Sequence, residues 1–129
     1  MVSRKPINTE KAPAAVGPYS QGIKSGDFLF ISGQLPIDME TGEFPGTIDE
    51  MTRCCLKNID EIAKKGKTAL KNAVKLTVFL TNMDDFAEMN AAYSEFFPDA
   101  PPARSTIAVA GLPKNAPIEI EAICALKTQ

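Results

Sequence analysis

The sequence predicts a single α+β domain in which two helices pack on one face of a β-sheet. The chain has 129 residues, the size of one domain spanning residues 1–129. Two segments repeat apolar residues at helical spacing, and a segment of alternating pattern lies between them. Two strand-like segments come before the first helix and two follow the second. The predicted element order is therefore ββ-α-β-α-ββ.

The first two predicted strands follow a loop at residues 12–18 that contains two prolines and a glycine. A short strand is expected over residues 19–24 and a stronger one over residues 27–32. The stronger strand is apolar at four successive positions, 28–31, which indicates a strand covered on both sides. Residues 33–46 are rich in turn-forming residues and are expected to connect this strand to the first helix.

The first helix has clear signals at both ends. Thr47 and Glu50 form a T-x-x-E capping box, and apolar residues recur every three or four positions from Ile48 to Ile62. Gly66 is expected to end the helix.

The second half of the chain repeats a strand–helix–strand pattern. Residues 74–80 alternate and predict a strand. A helix is expected from about Asp84, with an apolar stripe at Phe86, Met89, Tyr93 and Phe96 and an end before Pro98. Residues 105–109 predict a further strand, and residues 118–126 predict the last one.

One face of the predicted sheet is left without helices. Two helices can cover only one face, and the other carries Phe79 and part of the apolar run at 28–31. An apolar patch of this kind usually marks an interface. The sequence therefore predicts a homo-oligomer.

The composition excludes several kinds of chemistry. The chain contains no histidine, so Ser-His-Asp and Cys-His catalysis and His-ligated zinc are ruled out. Cys54, Cys55 and Cys124 lack the spacing of a metal site, and no cofactor is expected. The formal net charge of −2 gives no general attraction to nucleic acid or anionic membranes. An odd cysteine count and the lack of a signal-like start predict a cytoplasmic protein.

Arg104 is the arginine with the most informative surroundings. It follows Pro101-Pro102-Ala103 and opens a strand that is otherwise apolar or small. A guanidinium entering a sheet requires an anionic partner. Two readings remain open: a structural ion pair with Glu119 or Glu121, or a fork that binds a carboxylate ligand through two hydrogen bonds.

Glu119 and Glu121 alternate within the last predicted strand. They belong either to an exposed sheet face or to an oligomer interface, where a buried carboxylate needs a partner or a function. A carboxylate near a guanidinium can orient a water for attack on a carbon while the arginine holds the substrate. Tyr19 is either a loop anchor packed by Pro18 or a source of a phenolic proton.

Six segments, in order and spacing, closely resemble the RidA family (reactive intermediate deaminase, also called YjgF-type). The resemblance covers residues 7–126. Its segments are residues 12–21 (APAAVGPYSQ), 32–34 (SGQ), 74–80 (VKLTVFL), 85–93 (DFAEMNAAY), 102–106 (PARST) and 118–121 (IEIE).

The resemblance implies a chorismate-mutase-like subunit, with two helices on one face of a mixed sheet, that assembles as a homotrimer with clefts between subunits. It also implies hydrolysis of reactive 2-enamines and 2-imino acids, such as 2-iminobutanoate and 2-iminopropanoate. The products are 2-keto acids and ammonia. No metal or organic cofactor is implied, and the expected partner is a small-molecule substrate, not nucleic acid or a membrane.

The family's catalytic residues fall on three positions of this chain. Arg104 matches the arginine that grips the substrate carboxylate, and Glu119 matches the acid that holds the attacking water. Tyr19 matches a tyrosine of the cleft.

Four further positions match substrate-binding residues. Ser32 and Gly33 match the Ser-Gly step beside the reacting carbon, and Asn90 matches an asparagine of the second helix. Thr106 occupies a position that is often cysteine in the family, where the backbone makes the contact.

Two other functions remain as alternatives. One is a non-catalytic regulator or holdase that binds small carboxylates in the same cleft. The other is a translation inhibitor or ribonuclease, against which the net charge of −2, the pI of about 5.2 and the absence of histidine all argue. The presence of Arg104, Glu119 and Tyr19 together favours the enzyme.

Overall fold

The computed structural model describes residues 2–126. Its centre is a six-stranded sheet in the order β1-β2-β3-β6-β4-β5. The strands are β1 (Lys5–Ile7), β2 (Gly22–Ser25), β3 (Phe28–Gln34), β4 (Ala73–Leu80), β5 (Ala103–Ala108) and β6 (Ile118–Ala125). Neighbouring strands are antiparallel except β4 and β5, which are parallel. The sheet is mixed because the helix between β4 and β5 returns the chain in the same direction.

Two helices, α1 (Ile48–Lys65) and α2 (Phe86–Ser94), cover one face of this sheet. The core lies between them and the inward side chains of the central strands, of which Leu29, Leu76 and Ile120 are fully buried. This arrangement confirms the predicted α+β architecture. None of the helices in the described part of the chain is long and apolar enough to cross a membrane.

The ends of α1 lie where the sequence predicts them, but Gly66 acts through packing. The Thr47 hydroxyl accepts a hydrogen bond from the Glu50 amide and caps the helix. After Lys65, the left-handed conformation falls on Lys67 (φ 70°), not on Gly66. A Cβ at Gly66 would lie 2.7 Å from Leu29 Cδ2, so β3 packs too closely to allow a side chain there.

The structure differs from the predicted elements at three places. Strand β1 was not predicted, because it has only three residues and contains Pro6, which an edge strand tolerates. The second strand begins at Gly22 instead of residue 19, and α2 ends at Ser94, four residues before Pro98. The observed order is therefore βββ-α-β-α-ββ.

The face of the sheet opposite the helices is open in the single chain. Leu29 and Ile31 are buried, whereas Phe28 and Phe30 are 42% and 45% exposed. The prediction that residues 28–31 are covered on both sides is therefore wrong for one chain. We refer to this side, which also carries the exposed Ile107, as the open face.

Candidate active site

Arg104 lies at the second position of β5 and reaches across to α2. Its Nη1 donates a hydrogen bond to Asn90 Oδ1 at 2.8 Å. Its Cζ stands 4.7 Å from the centre of the Tyr93 ring and 5.6 Å from that of Phe86. Asn90 and Tyr93 are three residues apart on one helix, so they present their side chains to the same guanidinium. The guanidinium is therefore held by one amide and the faces of two aromatic rings.

Of the two readings of Arg104, the structural ion pair with Glu119 or Glu121 is not formed within the described chain. The salt bridges within residues 2–126 are made by Arg53 and Lys64, and none of them involves Arg104. Arg104 is paired with Leu76 and turns toward the helices, whereas alternation along β6 turns both glutamates to the open face. No acidic side chain neutralises Arg104 in this part of the chain.

Two buried hydroxyls near Arg104 have no hydrogen-bond partner in the described structure, Tyr93 Oη and Thr106 Oγ1. Thr106 is two residues from Arg104 on β5, hence on the same side of the strand. Burial raises the pKa of Tyr93, opposed by the nearby Arg104 charge, so its phenol stays a proton donor. Buried polar atoms are nearly always paired, and each unpaired one costs about 1–3 kcal/mol. We call Arg104, Asn90, Tyr93 and Thr106 the guanidinium cluster.

Glu119 belongs to a second group of residues on the other side of the sheet. A Cβ at Gly33 would lie 2.7 Å from Glu119 Oε2, so the glycine leaves room for this carboxylate. The register between β3 and β6 shifts between Ile31 and Gln34, and this irregularity brings Gly33 to the carboxylate. Burial, followed by repulsion from Glu121, raises the pKa of Glu119 above its ordinary value of 4.5.

Ser32 and Tyr19 complete this second group. Ser32 Oγ donates to the Ser20 carbonyl at 2.6 Å, and the Ser32 amide donates to the Gln21 carbonyl at 2.9 Å. These bonds fix the residues that follow Tyr19 against β3. Tyr19, half exposed, lines a cavity of about 580 Å³ together with Ser32. We call Tyr19, Ser32, Gly33 and Glu119 the carboxylate cluster.

The loop that carries Tyr19 is anchored by the buried side chain of Gln21. Its Oε1 accepts from the Thr9 amide at 2.7 Å. Its Nε2 donates to the carbonyls of Thr9 and Pro13 at 3.1 and 2.8 Å. A buried amide with this many bonds holds the loop in one position.

The two clusters do not meet in one chain. Arg104 is opposite Leu76, and Glu119 is opposite Phe79, on either side of β4. Arg104 and Glu119 are therefore two strands apart across the sheet and three residues apart along it, which is about 10 Å in each of these directions. Their side chains point to opposite faces of the sheet. The seven predicted site residues thus fall into two separate groups in a single chain.

Tyr93 is a residue that sequence reasoning assigned only to the apolar stripe of α2. The structure places its ring against Arg104 and leaves its hydroxyl buried without a partner among the described residues. Tyr93 lies three residues after Asn90, so both share one helix face, and this spacing could have indicated that Tyr93 belongs to the candidate site.

The cysteines contribute no reactive group to either cluster. All three are free, and burial raises the pKa of Cys54 and of Cys124 to about 11. Both thiols are therefore protonated at neutral pH. Within residues 2–126, no group of three or more Cys, Asp or Glu side chains is placed to hold a metal ion.

Comparison with known proteins gives consistent matches over almost the whole chain. The family model described as Endoribonuclease L-PSP matches residues 9–126. A RutC family protein (y4sK) of Sinorhizobium fredii is 52% identical over 123 residues, which cover 95% of this chain and 98% of the relative. The chloroplastic Reactive Intermediate Deaminase A of Arabidopsis thaliana is 45% identical, and the match covers 97% of this chain and 67% of the Arabidopsis protein.

A solved structure shares the fold as well as the sequence. The crystal structure of Escherichia coli TdcF with bound serine superimposes with a TM-score of 0.90 at 39% identity. The match covers 95% of this chain and 99% of TdcF.

Proposed function

The chain belongs to the RidA family of reactive intermediate deaminases, described also as the endoribonuclease L-PSP family, and from this premise we propose that it hydrolyses 2-enamines and 2-imino acids. The substrates are small compounds such as 2-iminobutanoate and 2-iminopropanoate. Each consumes one water and yields a 2-keto acid and ammonia.

The observation that carries the proposal is the guanidinium cluster. Arg104 keeps free N–H donors in a half-buried place, with no acidic partner among the described residues. Two buried hydroxyls beside it also lack partners there. A carboxylate ligand would accept hydrogen bonds from the guanidinium and neutralise its charge. Serine, the ligand bound to TdcF, likewise carries a carboxylate next to a nitrogen-bearing carbon.

Glu119 is proposed to activate the water. Its carboxylate takes a proton as the water oxygen adds to the carbon of the protonated imine, and it then returns that proton to the nitrogen, which leaves as ammonia. The remaining hydroxyl loses its proton and becomes the keto oxygen. A general base works best when its pKa approaches the operating pH, and the raised pKa of Glu119 moves in that direction.

We propose that the complete site forms between copies of the chain in a homotrimer. The guanidinium cluster of one copy would face the carboxylate cluster of its neighbour, since they point to opposite faces of one sheet. The exposed Phe28, Phe30 and Ile107 of the open face supply apolar area for such an association.

The description of the matching family names RNA cleavage as a second activity to be tested. The formal net charge of −2 and the absence of histidine favour the small anionic substrate over RNA. The same preparation should therefore leave RNA intact.

A competition assay tests the proposal. A threonine dehydratase generates 2-iminobutanoate in place, semicarbazide traps it, and the protein is expected to divert it to 2-oxobutanoate. Lack of diversion at high protein concentration would favour a carboxylate-binding module that does not catalyse.

A further inference from the structure

We propose that Arg4 is a specificity-determining residue that favours imino acids with a second carboxylate, such as 2-iminosuccinate. This inference rests on the proposed function. It concerns the cavity that Tyr19 and Ser32 border, at a position that the resemblance to the family does not assign.

Arg4 immediately precedes β1, and continuing the alternation of that strand by one residue assigns Arg4 to the open face. Lys5 pairs with Lys24, and Pro6 pairs with Ile23, which in turn pairs with Phe30. Side chains alternate along a strand, so Arg4 lies on the side of Pro6 and Phe30, while Lys5 lies on the other. The open face is also the one that carries Glu119 and Glu121.

Arg4 shares one cavity with two residues of the carboxylate cluster, Tyr19 and Ser32. Tyr19, Ser32 and Arg4 all border the space of about 580 Å³ on the open face. Among the described residues that line this cavity, Arg4 is the one that carries a charge. In the single chain this volume exceeds that of a four-carbon imino acid with two acid groups.

The chemistry of the cavity favours an anion at Arg4. The remaining lining includes Ile23 and Phe30, which give no hydrogen bonds from their side chains and lower the local dielectric. Within residues 2–126, the side chain of Arg4 makes no ion pair that would compete with a ligand. A guanidinium fork matches a carboxylate in shape and charge. Arg104 would then hold the 1-carboxylate, and Arg4 the distal one.

The rival explanation is a solvated arginine near the end of the chain, which attracts any anion weakly. Lys5 provides the control, since it has the same charge, is the next residue and faces away from the cavity. Long-range attraction would make Lys5→Gln and Arg4→Gln equivalent, whereas a contact in the cavity would not.

The test measures kcat/KM on two substrates. An aspartate-oxidising enzyme supplies 2-iminosuccinate, and threonine dehydratase supplies 2-iminobutanoate, each in competition with semicarbazide. In Arg4→Gln, the ratio of kcat/KM for 2-iminosuccinate to that for 2-iminobutanoate is expected to fall about fivefold. In Arg4→Glu it should fall further, by about tenfold or more. Lys5→Gln is expected to keep the wild-type ratio.

The two proposals fail in different ways. If Arg4→Gln and Lys5→Gln change the ratio equally, or if neither changes it, Arg4 has no role in specificity. If the wild-type protein hydrolyses 2-iminobutanoate but not 2-iminosuccinate, the Arg4 proposal also fails and the deaminase remains. If it hydrolyses neither substrate, the proposed function itself is overturned.

Discussion

At the scale of the residue, Arg104 is held in place by groups that do not cancel its charge. The amide of Asn90 and the rings of Tyr93 and Phe86 orient the guanidinium without supplying a negative charge. By contrast, Arg53 is paired with Asp49 and Glu95 and has no charge to offer a ligand. Arg53 therefore links α1 to the end of α2, whereas the charge of Arg104 remains available to a ligand.

Arg104→Ala is expected to lower kcat/KM about a hundredfold or more, because it removes the group proposed to bind the carboxylate. The kcat/KM of Arg104→Lys should lie between those of the wild type and Arg104→Ala. Lysine keeps the positive charge but cannot form the two parallel hydrogen bonds of a guanidinium. Steady-state kinetics measure the loss, and circular dichroism is expected to show an unchanged fold.

The matched control for Arg104 is Arg53→Ala. It removes two exposed ion pairs, which contribute little to stability, and should retain most activity. Equal activity in wild type and Arg104→Ala would contradict the role given to Arg104.

Glu119→Gln is expected to lower kcat more than it changes KM, by about 10²-fold or more, because the proposed general base is lost. In the wild type, activity should fall as the pH drops through the raised pKa of Glu119, above the ordinary value of 4.5. A pH–rate profile of both proteins measures this acidic limb, which should be absent from the variant.

The same shift has a consequence for stability with a definite sign. A raised pKa in the folded state means that stability is lost as the pH rises through that pKa, when the carboxyl ionises. Glu119→Gln should therefore have a Tm at pH 7 equal to or above that of the wild type. A variant less stable at pH 7 than at pH 4, relative to wild type, would contradict this assignment.

The candidate residues could be proposed from the sequence, but the side chains that contact them could not. Arg104, Asn90 and Glu119 stand in recognisable segments of the sequence. The bond from Arg104 to Asn90, in place of an ion pair with a glutamate, depends on the register of β4 and β5 and on where α2 packs. Periodicity does not determine either of these.

At the scale of the element, the irregularity of β3 brings Gly33 to the carboxylate of Glu119. Gly33→Ala is expected to lower kcat about tenfold or more, because its Cβ would lie 2.7 Å from Oε2 and displace the base. Kinetics and a thermal melt together separate this effect from unfolding.

Two other glycines provide controls for Gly33→Ala. Gly111→Ala places its Cβ in open space and should leave both activity and Tm unchanged. Gly66→Ala meets Leu29 and should cost about 1–3 kcal/mol of stability instead. An active Gly33→Ala variant would show that the carboxylate does not need its observed position.

The long elements followed from sequence pattern, and the short ones did not. Helix α1 and strand β6 have unbroken apolar periods and end close to the predicted residues. Strand β1 is three residues long, and its place in the sheet is determined by pairing with β2. Pairing of this kind is a tertiary contact that a local pattern does not encode.

At the scale of the whole molecule, the single chain presents two separate clusters of polar residues and an apolar open face. Phe28 and Phe30 are as exposed as many polar residues, although four apolar residues in succession predicted a strand covered on both sides. One further copy of the chain would cover this face and bring the guanidinium cluster of one copy to the carboxylate cluster of the next. The oligomer and the active site are therefore one proposal.

The most direct test of this proposal mixes two inactive variants, Arg104→Ala and Glu119→Gln, by co-expression with different tags. If each site takes its arginine from one copy and its glutamate from the next, each mixed trimer should contain one complete site out of three and recover about a third of wild-type activity. If both residues act within one chain, the purified mixed oligomers would stay as inactive as either variant alone.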